Sequence, residues 1–414
     1  MPGPDAQRTG AQSEAPLPAP LAAATDLLPP PYAGGAEPGL RGVLAPLLLT
    51  PRRGRDVVVL IDGLGFQQLS QHLALTPTLR ALRDRTQKIR TVAPATTAAA
   101  MASLLTGLPP LRHGMLGYTV ADPGTGLLAN QLTGALSDPL APAGRAPQRT
   151  VDARQWMRAA VLAERSSRTA MQVAPAAHST SLLTRAAYRG WTFFPQGKPH
   201  ERVDAVLAAL RAGGQDALVH LHIDDVDHAG HKHGVDSEQW REALAEADAL
   251  LGALLRRLPK GTRVHVVADH GMVDTSPQRT VDLADHPEWT SKIAMAAGEP
   301  RAVALRLHPE HRGAEESAAF AAQLADGLGE RAAVLTRAEV LASGIYGPPV
   351  APADEVDAID EAVRERLPDV LVLARGRFAL EDSRRRAPGR SPEVGVHGSL
   401  TSAECMIPLV RIEV

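Results

Sequence analysis

Apolar residues fall along this chain in two patterns. In the first they form short unbroken runs: Asp56 to Ile61 (DVVVLI), Ala217 to Ile223 (ALVHLHI), Arg263 to Ala268 (RVHVVA) and Asp369 to Ala374 (DVLVLA). Runs of this length bounded by turn residues predict strands buried on both faces. In the second pattern apolar residues recur every three or four positions, which predicts helices over Pro77–Arg85, Ala98–Thr106, Glu201–Arg211 and Ser237–Leu258. The last places Trp240, Leu244, Ala247, Leu251 and Leu254 on one face. Strands alternating with helices predict an α/β fold with a mostly parallel sheet covered on both sides. Ligands of such sheets bind beyond the carboxyl ends of the strands. Asp62-Gly63, Asp224-Asp225 and Asp269-His270-Gly271 follow the first three runs, and Arg375-Gly376 follows the fourth.

Two regions break the alternation. Residues from about 115 to 200 are loop-rich and read as an insert. Residues from about 276 to 365 hold a strand (Arg301 to Leu307), a helix (Glu315 to Leu328) and a strand-like run near Ala332. They are expected to form a small inserted subdomain over the site. Residues 1–38 are rich in Pro and Ala, with Leu27-Leu28-Pro29-Pro30-Pro31 unable to continue a helix. They read as a disordered arm ahead of one catalytic domain, 39–414.

Composition narrows the classes. The chain has 414 residues, 44% of them hydrophobic, and a formal charge of −2 without a strongly basic or acidic block. That argues against a nucleic-acid surface or a polybasic membrane patch. Neither a secretory leader nor an apolar run of about 18 residues is evident, so no membrane span and a cytoplasmic location are expected. One cysteine, Cys405, excludes an intramolecular disulfide and a cysteine-rich zinc site. Any metal must be held by histidine and carboxylate.

Several segments offer such ligands. Asp62 follows a strand directly, where an ordinary turn residue would also stand. In Asp227-His228-Ala229-Gly230-His231-Lys232-His233, Asp227 and His231 are four apart and face one way on a helical turn. Spacing alone does not choose among these two and His228, His233, Asp224 and Asp225. Asp269 and His270 sit together at a sharp strand end, and His397 lies between small residues that let a backbone approach closely. Three aspartates and three histidines would complete two mixed N/O sites, a donor set that suits zinc. Thr97 follows Pro94-Ala95-Thr96 and opens an Ala-rich helix ending at Gly107. Thr96 or Thr97 could be a plain N-cap. The same helix start offers free amides and a positive dipole end to a phosphate, and a metal there would make Thr97 a nucleophile.

In order, the chain shows Asp-Gly after a first strand, Pro-x-x-Thr before a helix, Thr-Gly-x-x-Pro-x-x-His-Gly, Asp-x-x-Gly-His-x-x-Gly, Asp-His-Gly-Met and a late His-Gly. Together these resemble the nucleotide pyrophosphatase/phosphodiesterase branch of the alkaline phosphatase superfamily, over residues from about 55 to 414. The resemblance implies an alkaline-phosphatase-like α/β/α sandwich and two zinc ions. It implies Thr97 as nucleophile, with Asp62, Asp269 and His270 on the metal that activates it. Asp227, His231 and His397 match the ligands of the second metal. His113 and Gly114 match a turn that carries no metal. The family usually has an Asn that helps hold a phosphate oxygen, and the matching position here is Tyr118. A phenol can donate one hydrogen bond in its place; Asn130 is a second, weaker stand-in.

The expected activity is hydrolysis of a small phosphate ester or nucleotide by a phosphodiesterase or nucleotide pyrophosphatase. Phosphonate hydrolysis and phosphomonoester hydrolysis use the same core, and a metal-dependent phosphomutase is a further alternative. A sulfatase is disfavoured, because Thr97-Ala98-Ala99-Ala100-Met101 does not match C/S-x-P-x-R. A catalytically dead binding protein is disfavoured by the complete ligand set.

Overall fold

The strand Asp56–Ile61 is the axis of the molecule, with every residue buried. It pairs in parallel with Leu218–Ile223 on one side and Arg263–Val267 on the other. In this computed structural model, which describes residues 17–33, 39–50, 54–140, 149–350, 359–386, 389 and 391–414, the main sheet has seven strands. From edge to edge they are Thr86–Arg90, Met406–Glu413, Arg263–Val267, Asp56–Ile61, Leu218–Ile223, Ala170–Pro175 and Trp191–Gln196. Only Met406–Glu413 runs against its neighbours. The sheet is thus largely parallel, and the carboxyl ends of its three central strands lead into Asp62, Asp224 and Ala268-Asp269.

The helical periodicity is matched closely: helices span Pro77–Ala81, Thr97–Thr106, Arg202–Gly213, Glu238–Arg257 and Ala314–Leu328. The longest buries Trp240, Leu244, Ala247, Leu251 and Leu254 against the core. Among the described residues no helix is long and apolar enough to cross a membrane.

Three expectations need correction. The run Asp369 to Ala374 is a strand, Val370–Ala374, but not part of the main sheet. It belongs to a four-stranded antiparallel sheet with Ile293–Glu299, Ala302–Leu307 and Ala332–Thr336. This sheet has its own core, where Leu305, Val334 and Val372 meet Phe320 and Leu324 of the helix Ala314–Leu328. An apolar run shows that a strand is covered on both faces and says nothing about which sheet covers it. Second, the presumed insert at 115–200 is only partly one. Its first half forms a small antiparallel sheet of Thr119–Ala121, Leu128–Asn130, Ala135–Ser137 and Arg149–Thr150. Its second half supplies two parallel strands to the main sheet. Third, the arm is not wholly disordered. Residues 1–16 and 34–38 lie outside the described residues, but Leu21, Ala24 and Leu27 between them are buried. A short helix, Ala19–Ala23, and a bridge from Leu27 to Thr401 tie this segment to the fold. The apolar residues among the prolines find a hydrophobic surface, which composition averages away.

Candidate active site

Two ligand clusters form where the central strands end. Asp62 leaves the first strand, and Asp269 and His270 leave the strand Arg263–Val267 after Ala268. The turn is tight enough that the Gly63 N–H donates to Asp269 Oδ1 at 3.2 Å. One donor atom from each of Asp62, Asp269 and His270 lies within 4.8 Å of the others. The second cluster takes Asp227 and His231 from the helix Asp225–His233 and His397 from the loop after Gly395–Val396. Asp227 and His231 face the same way, with His231 Nε2 3.3 Å from Asp227 Oδ2. The rings of His270 and His397 stack with centroids 3.7 Å apart, so the clusters adjoin.

Thr97 lies beside them. Its hydroxyl is 3.1 Å from His270 Nε2 and 3.4 Å from Asp62 Oδ1. It is the first residue of its helix, and the preceding Thr96 forms no side-chain cap. The amides of the first turn therefore remain available to a ligand. A plain N-cap would have used its hydroxyl on them.

The donors fit a pair of metal ions. His231 Nδ1 donates to the Gly395 carbonyl at 2.8 Å, His397 Nδ1 to Ala95 at 2.8 Å and His270 Nδ1 to Gly271 at 3.1 Å. Each imidazole is thereby fixed with Nε2 turned to the site, the arrangement that metal-ligating histidines use. Asp227 Oδ1 and Asp269 Oδ2 are buried without a hydrogen-bond partner among the described residues, which is costly unless a cation takes them. Burial raises the Asp62 pKa, and the Asp269 and Asp227 carboxylates raise it further. Burial pushes His397 down, as do the neighbouring His270 and His231. For His231, burial pushes down, but Asp227 and Glu393 outweigh it and hold the imidazole above its ordinary value.

A cavity of about 280 Å³ opens over Thr97, with Thr96, Tyr118, His231, Glu299 and His397 in its wall. Tyr118 is 44% exposed and so reaches solvent as well as the cavity. Asn130 does not line it; its Oδ1 accepts the Leu132 and Thr133 amides, both at 2.9 Å. Asp224 and Asp225 pair with Arg202 instead of entering a cluster. His228 lies at the cavity wall but outside both clusters. His113 is buried against the Ser103 hydroxyl at 2.8 Å, and burial drives its pKa down to about 3.

Two residues escape a sequence reading. His222, inside the apolar strand Leu218–Ile223, places Nε2 2.8 Å from Asp62 Oδ2. The signal it leaves is a pair of histidines, His220 and His222, in a buried and otherwise apolar run, and the pair does not say which one reaches the site. Glu299 accepts the Tyr118 N–H on Oε1 at 2.6 Å, while its Oε2 is buried without a partner. Burial raises its carboxyl to about 7. No motif surrounds it.

Residues 57–400 match the family model described as type I phosphodiesterase / nucleotide pyrophosphatase. The chain belongs to this family. A pyrophosphatase/phosphodiesterase of Schizosaccharomyces pombe, named as uncharacterized, is 25% identical over 244 residues, which cover 55% of this chain and 47% of that protein. The chain thus spans about half the length of that curated relative. Among solved structures, murine ectonucleotide pyrophosphatase/phosphodiesterase 5 superposes with a TM-score of 0.64 at 17% identity, covering 86% of this chain and 87% of that one. The murine protein has also been solved in an inactive form in complex with AMP. Phosphonoacetate hydrolase from Sinorhizobium meliloti 1021, in complex with phosphonoformate, gives 0.62 at 17% identity, covering 87% and 90%. At these identities the structures speak for the shared fold alone, the alkaline-phosphatase-like α/β sandwich.

Proposed function

We propose that this family member is a two-metal phosphoric ester hydrolase, a phosphodiesterase or nucleotide pyrophosphatase, that works through a phospho-threonine at Thr97. The observation that carries the proposal is the Thr97 hydroxyl, 3.1 Å from His270 and 3.4 Å from Asp62 at an uncapped helix start. Asp62, Asp269 and His270 would hold one ion, and Asp227, His231 and His397 the other. Mixed imidazole and carboxylate donors suit zinc. When bound, the two ions supply Lewis acidity to the phosphoryl oxygens and to the nucleophilic hydroxyl.

The remaining steps belong to the chain. The helix start orients the phosphoryl group through its amides. Thr97 Oγ1 gives its proton to solvent and attacks phosphorus, and the bond to the leaving oxygen breaks on the opposite side, that oxygen leaving with a proton taken from solvent. Water then attacks the same phosphorus, breaks its bond to Thr97 and restores the hydroxyl. Tyr118, held through its N–H by Glu299, offers a phenol donor at the cavity wall. Small nucleotides are reasonable substrates, because a family relative is solved with AMP.

Phosphonate hydrolysis stays the second choice. Among the described residues lining the cavity there are carboxyl groups, Glu299 and Glu393, but no Lys or Arg to receive an acidic substituent. The test is hydrolysis of bis-p-nitrophenyl phosphate against p-nitrophenyl phosphate, with and without chelator. A chelator-sensitive preference for the diester is expected. A preference for the monoester would overturn the diesterase reading.

A further inference from the structure

A second, larger cavity of about 620 Å³ lies at the other end of the strand Ala302–Leu307 from Glu299 and Pro300. Six residues of strand separate the two by roughly 17 Å. Three guanidinium groups meet in this cleft. Arg306 Nη1 donates to the carbonyls of Glu365 at 2.7 Å and Leu367 at 3.2 Å. Arg337 donates to Pro368 at 3.1 Å and Leu367 at 2.7 Å, and Arg312 Nε to Leu307 at 2.8 Å.

Asp369 is the only carboxylate among the described residues lining the cleft. Its oxygens are already in use. Oδ1 accepts Arg337 Nη2 at 2.7 Å, and Oδ2 accepts the Leu307 N–H at 2.9 Å with Arg312 Nε at 3.4 Å. Three guanidinium groups thus line the cleft beside one carboxylate that is already engaged, and Glu365, outside the lining, also acts on Arg306. Burial lowers the pKa of Arg306 and of Arg337; Asp369 opposes this, and the Arg312 guanidinium adds to it.

A purely structural account makes the arginines clamps on the 365–369 loop. It covers Arg306 and Arg337, which hold that loop by its carbonyls. Arg312 reaches that loop only through Asp369, and among the described residues its Nη groups have no hydrogen-bond partner. Clamping the loop does not explain why three guanidinium groups are gathered around an open cavity. Planar guanidinium forks match the oxygens of phosphate.

We propose that the arginine cleft binds a dianionic phosphoryl oxyanion, free phosphate or a phosphate monoester, at a site separate from the catalytic one. The test is equilibrium dialysis of the zinc-loaded full chain with radiolabelled inorganic phosphate, comparing wild type with Arg312→Glu. Arg312 is chosen because its loss frees one backbone carbonyl and one long contact to Asp369, which keeps its bonds to Arg337 and Leu307, and unchanged bis-p-nitrophenyl phosphate turnover shows that the variant folds. Wild type should bind one more phosphate per chain than the variant, whose affinity at this site falls roughly 100-fold or more with the lost charge-assisted bonds. If turnover is lost, Arg312→Gln gives the same count with a milder change. Equal counts in wild type and variant overturn the proposal, whatever the catalytic site binds. Competition with glycerol 3-phosphate then identifies the source. Displacement of the Arg312-dependent label assigns the cleft to monoesters, and its persistence assigns it to free phosphate.

Discussion

Thr97, His222 and Glu299 each touch the site through a different kind of bond, and each gives a separate prediction. Thr97→Ala should reduce turnover by about a thousandfold or more, as loss of a nucleophile does, while zinc content by atomic absorption stays near wild type. Turnover close to wild type would remove Thr97 from the role of nucleophile. His222 fixes Asp62 from behind at 2.8 Å. His222→Ala should weaken metal binding by about 10- to 100-fold, the usual cost of losing such a support, and a competition titration with a zinc chelator would show it. For Glu299 the sign follows from its raised value. The folded state keeps the proton up to about 7, whereas the unfolded chain releases it near 4.5. Stability from this group is full below 4.5 and declines as pH rises to 7. Glu299→Gln should remove that slope, so the difference in unfolding free energy between wild type and variant changes by up to about 3 kcal/mol across the window. Denaturant melts at pH 4.5, 5.5 and 7 read it directly, and parallel pH profiles for both proteins would refute it.

At the scale of elements, the Asp-His-Gly turn shows how closely the site is backed. The Gly271 N–H donates to the Glu404 carbonyl at 2.8 Å, and a Cβ at Gly271 would lie 2.1 Å from the Ala403 carbonyl oxygen. Gly271→Ala should therefore cost about 1–3 kcal/mol of stability, seen as a lower denaturant midpoint, and displace His270 beside it. The turn was legible in the sequence because Asp, His and Gly stand together after an apolar run. The three central strands were legible for the same reason, and so were the helices, whose periodicity survives any choice of partner. Other strands were not. Ala170–Pro175, Trp191–Gln196 and Met406–Glu413 each contain a proline, which reads as an interruption although it is tolerated near strand ends and sheet margins. Val370–Ala374 was recognised as a strand but given the wrong sheet, since pairing is a long-range property. His222 and Glu299 stayed hidden because their roles depend on neighbours 160 and 181 residues away.

At the scale of the whole molecule, a buried ion pair joins the four-stranded antiparallel sheet to the main-sheet core. Arg301, at the edge of the subdomain sheet, and Glu404, ahead of the last core strand, are both fully buried. Arg301 Nε and Nη2 lie 3.1 and 2.7 Å from the Glu404 carboxylate, which also receives the Ser399 N–H at 2.9 Å. Ser399 is two residues from His397, so this pair reaches the second ligand cluster. Glu404→Ala leaves an unpaired buried guanidinium and should cost about 3–5 kcal/mol. Equilibrium unfolding would measure that, and zinc stoichiometry would show whether the His397 cluster loosens with it. A change below about 1 kcal/mol would mean the two parts hold together by other contacts.

The strand Met406–Glu413 sits between Thr86–Arg90 and Arg263–Val267, inside the sheet and not at its margin. Among the described strands it is the last in the chain. At about 5–20 residues per second, roughly seven to thirty seconds separate the synthesis of the later of its two sheet neighbours from its own. Throughout that interval the edge of Arg263–Val267 lacks this partner, and His397 is made only near its end. Stalled nascent chains ending before residue 406 should be cut readily by protease, and chains carrying the full strand beyond the exit tunnel should resist. The candidate site would then be completed only once His397 and this strand have both been made.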